Sequence, residues 1–157
     1  MKNILKYLLV LICLCTINCS TFGQSMIYQG NTINETIEGK KEGAWVIFAS
    51  MRNLPDYKPE DKYEEGAYKS NRKVGLWKRY FASGNTQSEI TYVNGRAKGT
   101  FSTYYDELGK VEETGTQRGK TLTGGFKRYH VNGQLAQEKN FNLKGQSEGE
   151  QKYILPN

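Results

Sequence analysis

A glycine followed at fixed offsets by aromatic or apolar side chains returns five times along this chain, and that phasing restricts the fold more than any other feature. The segments are GAWVIF (43–48), GLWKRYF (75–81), GTFSTYY (99–105), GGFKRYH (124–130) and a degenerate GEQKYI (149–154). The leading glycines lie 32, 24, 25 and 25 residues apart, and the longer first interval contains the insertion MRNLPDYKPEDKYEEG (51–66) with Pro55 and Pro59. Each of the middle units has a second glycine about ten residues on, Gly84, Gly109 and Gly133, inside a short polar link. Polar, β-tolerant runs follow at 86–92, 110–116 and 134–141, then further turns at 93–96, 117–120 and 142–145. Glycine and asparagine tolerate positive φ, so such links between extended runs are hairpin signals. No convincing helical period occurs outside the first residues. The pattern predicts an all-β protein, a meander of β-hairpins, one per repeat, in an elongated twisted antiparallel sheet, with 51–66 as a loop off one edge.

Side chains alternate faces along a strand. The aromatic two after each glycine and the one five after it therefore predict two columns on opposite faces. One holds Trp45, Trp77, Phe101 and Phe126 and is expected to be the buried core, because it carries both tryptophans. The other holds Phe48, Tyr80, Tyr104 and Tyr129, and tyrosine tolerates one wet side, which leaves these rings as a candidate contact platform. Repeat units bury a core only by stacking on their neighbours, so a structural role for both columns competes with that reading.

The units resemble MORN repeats in their bacterial variant form. The resemblance rests on SNRKVGLWKRYFASGNTQSE (70–89), NGRAKGTFSTYYDELGKVEE (94–113) and GGFKRYHVNGQLAQE (124–138), and extends over about 36–154. The first unit departs through its insertion and the last through Gln151 in place of an aromatic, as terminal capping units do. Proteins of this kind include antitoxins of the YwqK type, which neutralise a partner toxin, and scaffolds linked to membrane lipid contact or self-association. The resemblance implies a binding module without catalysis and supplies no set of functional residues.

The first 23 residues have the layout of a secretory signal peptide, with Lys2 and Lys6 ahead of an apolar run from Tyr7 to Ile17 and small residues before Gln24. A lipoprotein cut leaving a lipid-bearing Cys19 is the alternative. Removal after Gly23 takes away Cys13, Cys15 and Cys19, all of the cysteines, and lowers the formal charge from +6 to +4. Disulfides, thiol catalysis and cysteine-ligated metals leave consideration together. The expected organisation is a signal peptide (1–23), a lead-in (24–35), the repeat domain (36–154) and a tail (155–157), in a periplasmic or secreted protein.

Catalytic sets are lacking in the sequence. His130 stands where Phe81 and Tyr105 stand in sister units, without a nucleophile or orienting group beside it. Asp56, Asp61 and Asp106 fall in the insertion and a turn, where aspartate serves turn geometry. No enzyme activity, cofactor or metal is expected. Asn34-Glu35-Thr36 matches a glycosylation acceptor. The basic pairs Lys78-Arg79 and Lys127-Arg128 recur at equal places, and the turns add Arg72, Lys73, Arg96, Lys98, Arg118 and Lys120. Solvated turn charge that aids solubility competes with a contact role. Together with Tyr80, Tyr104 and Tyr129, the two basic pairs are candidate partner-binding residues. The expected partner is an unknown protein, in an antitoxin or immunity-like role. The alternative is an anionic membrane surface, and self-association is a further option at the sheet edges. Nucleic acid is disfavoured by export.

Overall fold

The computed structural model describes residues 24–155. The signal peptide expected over 1–23, with its alternative at Cys19, lies outside the described residues. Two short strands, β1 (Met26–Tyr28) and β2 (Asn31–Ile33), form a lead-in hairpin. Then come β3 (Glu35–Ile37), β4 (Lys40–Phe48), a 3-10 turn at Ala49–Met51, β5 (Lys62–Lys69) and β6 (Arg72–Tyr80). The remaining strands are β7 (Thr86–Val93), β8 (Arg96–Tyr104), β9 (Val111–Arg118), β10 (Thr121–Tyr129), β11 (Leu135–Phe141) and β12 (Ser147–Tyr153). Strands β3 to β12 make one antiparallel ten-stranded sheet in strict sequence order, an open meander. The all-β hairpin architecture is the one the repeats predicted.

The leading glycines turn out to be bulge residues within strands. Gly43, Gly75, Gly99, Gly124 and Gly149 have φ of +66°, +68°, +124°, +67° and +72°. Opposite Gly75 the register slips between Glu65 and Ala67, opposite Gly99 between Ile90 and Tyr92, and at Gly124 between Thr123 and Phe126. A bulge places an extra residue in the left-handed region, where a Cβ is strained, so each unit needs glycine there.

Cross-strand register assembles the core. Trp45 pairs with Gly66, Trp77 with Ile90, Ile90 with Phe101, Phe101 with Gly115, and Gly115 with Phe126. Gly66 reaches the next ring in turn, since a Cβ added there would stand 2.4 Å from the Trp77 ring. One row thus crosses the sheet with large rings set against glycine or Ile90. A second column repeats at the same period: Tyr68, Tyr92 and Phe141 pair with the bulge glycines Gly43, Gly75 and Gly124. The two columns interlock edge to face. Ring centroids are 5.4 Å apart for Trp45–Tyr68, 4.9 Å for Tyr68–Trp77 and 6.5 Å for Trp77–Tyr92. In the third unit Gln117 holds the place opposite Gly99.

The expected buried column needs one correction. Trp77, Phe101 and Phe126 are buried, but Trp45 is only half-buried. It stands at the end of the row beside the three-residue strand β3, with Lys41 Nζ 4.5 Å above its ring. Both indole N–H groups donate to backbone carbonyls, Trp45 to Glu42 at 3.0 Å and Trp77 to Ala67 at 3.0 Å.

The looped insertion 51–66 is also corrected: residues 62–66 belong to β5. Along β5 the positions 64, 66 and 68 share the tryptophan face, with Glu64 and Tyr68 buried and Gly66 opposite Trp45. The loop proper closes on itself, with Ala49 N–H donating to Asp61 O at 2.9 Å and Ser50 N–H to Pro59 O at 3.1 Å. Tyr57 pins it to the sheet by donating its hydroxyl to Tyr80 O at 2.9 Å.

Asn34 fastens the lead-in hairpin to β4. Its amide donates to Val46 O at 2.9 Å and its oxygen accepts from Val46 N–H at 2.8 Å, and the residue is buried. This commits the side chain of the glycosylation-acceptor motif to the fold. Asn34→Ala leaves two buried backbone groups unpaired and is expected to cost about 2–3 kcal/mol in urea unfolding. A loss below about 0.5 kcal/mol would show that water replaces the amide freely.

Candidate functional site

The face opposite the tryptophan row carries charges in matched order. Lys78 pairs across strands with Glu65 and Glu89, and Lys127 with Thr114 and Glu138. Lys78 Nζ is 2.8 Å from Glu89, Lys127 Nζ is 3.3 Å from Glu138, and Lys62 Nζ is 3.1 Å from Glu65. Two of the three candidate tyrosines are built into the same network. Tyr80 donates its hydroxyl to Glu65, and Tyr104 donates to Glu89 at 3.0 Å. The two contacts have the same sequence separation, so they are one repeated bond. Tyr129 stands where the corresponding partner is Thr114. Its half-buried ring instead lines a hollow of about 510 Å³ with Val111 and Lys110.

Burial pushes the Glu65 carboxyl up, but the Tyr80 hydroxyl and Lys62 ammonium outweigh it and hold the group below its ordinary 4.5. For Glu89 the Lys78 contact is the main cause of a shift in the same direction, with Tyr104 adding to it. Burial and the Glu65 bond together push the Tyr80 hydroxyl up strongly. A carboxylate held low in the fold contributes stability that is fully present above its unfolded value and is lost as pH falls through its folded value. The melting temperature is therefore expected to fall as the solution is acidified below about pH 4.5. Paired Glu65→Gln and Glu89→Gln changes should flatten that fall, as a thermal melt series would show. An unchanged slope in the variant would rule these two groups out as its source.

The arginine of each basic pair serves the other face. Arg79 lies 3.6 Å from Glu64, and Arg128 is ion-paired with Glu113. All four residues of the two pairs thus have acidic partners, and each pair divides between faces. Neutralised and divided between two faces, they form no shared basic surface. On the tryptophan side, Glu64 is buried and also accepts from Lys73 at 2.5 Å. Lys73 lies 3.9 Å over the Trp77 ring. Burial is the main influence on the Lys73 ammonium and lowers its pKa, while Glu64 opposes that shift.

Several cations without acidic partners stand at the strand ends that carry the two-residue turns. Arg96 and Lys98 lie on β8, and Arg118 and Lys120 flank Gly119. A hollow of about 540 Å³ opens there between Arg96, Lys98, Arg118, Val93 and Leu143. The sequence had singled out these cations but gave no way to separate them from the paired ones.

The remaining singled-out residues have local roles. His130 Nε2 is 2.8 Å from Ile154 O, just past the end of β12. Asp61 accepts from Lys58 N–H at 2.8 Å, and Asp106 accepts from Ser83 in the neighbouring turn. Among the described residues no group of three His, Cys, Asp or Glu is placed to hold a metal ion.

Residues 73–94, spanning β6, its turn and β7, match the family described as MORN repeat variant. The chain matches no curated protein. The matched stretch contains Gly75, Trp77, Lys78, Tyr80 and Glu89, so the bulge, core ring and charged row all fall within one family unit. MORN repeats are generally binding modules, and the chain fits a non-catalytic repeat binder.

Proposed function

We propose that this chain is an exported protein-binding module, acting without catalysis, in an antitoxin or immunity-like role. The observation that carries the reading is the match of β6–β7 to a binding repeat within a ten-stranded open sheet. The signal-like leader supports export. Immobilised residues 24–157 should retain a saturable protein partner from native extract, and the purified partner should bind in calorimetry. Failure to find any saturable protein ligand in cell, envelope and medium fractions overturns the reading. N-terminal analysis of the mature chain tests export, with Gln24 expected, a lipid-modified Cys19 marking an anchored exported form, and an uncleaved Met1 as the contrary result.

A second reading, peripheral binding to anionic membrane, is favoured by the unpaired turn cations. Vesicle flotation should then require anionic lipid and weaken with salt, because screening shortens the reach of exposed charges.

A further inference from the structure

Most charged residues that face one another across this sheet are opposite in sign. Glu64 faces Arg79, Glu65 faces Lys78, Lys78 faces Glu89, Glu113 faces Arg128, Lys127 faces Glu138 and Glu138 faces Lys152. Three like-charged pairs break the rule, Glu35 opposite Glu42, Lys69 opposite Arg72, and Lys98 opposite Arg118 in β8 and β9. In the first two one member is hydrogen-bonded, Glu42 by Ser70 and Arg72 to Asn94, whereas among the described residues neither Lys98 nor Arg118 has a side-chain partner. Like charges in that relation destabilise a sheet. Neither has an ion-pair partner among the described residues, and Arg96 beside them has none either.

The repeats supply an internal comparison. The position before the bulge glycine and the one after its cross-strand partner are Glu42 and Lys69 in the first unit, Val74 and Val93 in the second, and Thr123 and Asn142 in the fourth. Opposite charge, apolar or neutral polar pairs satisfy the fold at this place. The scaffold therefore does not require Lys98 and Arg118.

The same two side chains line the hollow of about 540 Å³ and an adjoining one of about 350 Å³. No carboxylate lines either hollow. Leu143, 78% exposed, borders both, and Val93, 51% exposed, borders the larger. The Leu143 turn is fixed against β10, where a Cβ on Gly145 would meet the Thr121 side chain at 2.5 Å. Three unpaired cations therefore line a recess with an apolar lip.

We infer that the recess of Arg96, Lys98 and Arg118 is the docking site for an acidic peptide segment of the partner protein, one that alternates carboxylate and apolar side chains. The inference rests on the protein-binding reading and names the partner's chemistry. The carboxylates sit between Lys98 and Arg118 and relieve their repulsion, while an apolar side chain covers Leu143. A flat lipid surface fits less well, because the free cations line a concavity and those in the charged row of the open face are already paired.

The test uses residues 24–157 and a short fluorescent peptide alternating glutamate and leucine, read by anisotropy. The peptide should bind in low salt, and its glutamine counterpart at least tenfold more weakly. Lys98→Gln with Arg118→Gln should weaken binding by tenfold or more, whereas Lys127→Gln with Arg128→Gln, which removes the same charge elsewhere, should leave it within about twofold. The recess variant should also melt higher than the parent, because its cross-strand repulsion is gone. A merely structural role for the pair predicts the reverse.

Equal weakening by both double variants, or none by either, overturns the proposal. So does flotation with phosphatidylglycerol vesicles that depends on Lys98 and Arg118 when the peptide does not bind. A native partner that binds the Lys98→Gln, Arg118→Gln chain undiminished sinks this site and leaves the binding-module reading standing.

Discussion

Gly66→Val is expected to destabilise the sheet by about 3 kcal/mol, an overpacking loss at the upper end of the usual range. A Cβ at this position would lie 2.4 Å from Cδ2 and Cε2 of Trp77. The ring has little room to retreat. Its N–H is bonded to Ala67 O, Tyr68 meets it edge to face at 4.9 Å, and Lys73 sits 3.9 Å over it. Either the indole leaves its rotamer or β5 moves away from β6. For a domain whose whole stability is about 5–15 kcal/mol, the loss is a large share. Gly66→Ala should show the same effect in milder form. Gly125→Ala is the control, since nothing lies within 4 Å of its added Cβ and its φ is not in the left-handed region. Urea midpoints that match for Gly66→Ala and Gly125→Ala would refute the packing argument.

Trp77→Ala is expected to cost about 3–5 kcal/mol, the range for removing a buried large aromatic. The side chain is 2% exposed and contacts Tyr68 and Tyr92 edge to face. Its loss opens a cavity and leaves the Lys73 ammonium without the ring beneath it. The two changes should not add. Once the indole is gone, the methyl of Gly66→Ala has space, so the double variant should be more stable than the sum predicts by about 1–2 kcal/mol. Simple additivity would mean that Gly66 serves the backbone of β5 and not the Trp77 ring.

These two residues differ in how visible they were. Trp77 stands at a repeated offset from a repeated glycine, and that phasing alone placed it in the core. Gly66 lay in a segment read as an insertion, because Pro55 and Pro59 mask the point where the strand resumes. Gly115 was hidden in a polar return run in the same way. The leading glycines mark each repeat, but residue type does not distinguish a turn from a mid-strand bulge. That distinction arises from the positive φ and the register slip. Tyr68 and Tyr92 were missed as core although they repeat at the unit length, since each looks like the end of a polar strand until a bulge glycine is set opposite.

The binding surface was less legible for a related reason. Lys78, Lys127, Arg96 and Arg118 are alike as letters. Which ones are neutralised depends on residues about 10–15 positions away, brought together by turn lengths and bulges whose combined register the local pattern does not encode.

Because every strand of the large sheet pairs only with its chain neighbours, this molecule behaves as a graduated rod. Neighbouring strands are about 4.8 Å apart, so gaining or losing one repeat shifts everything beyond it by nearly 10 Å while leaving each joint unchanged. The Tyr129 hollow and the Lys98–Arg118 recess share strands β8 to β10 and move together, but their distance from the lead-in hairpin can be reset in whole notches, a means of matching a partner's dimensions that a closed barrel does not have.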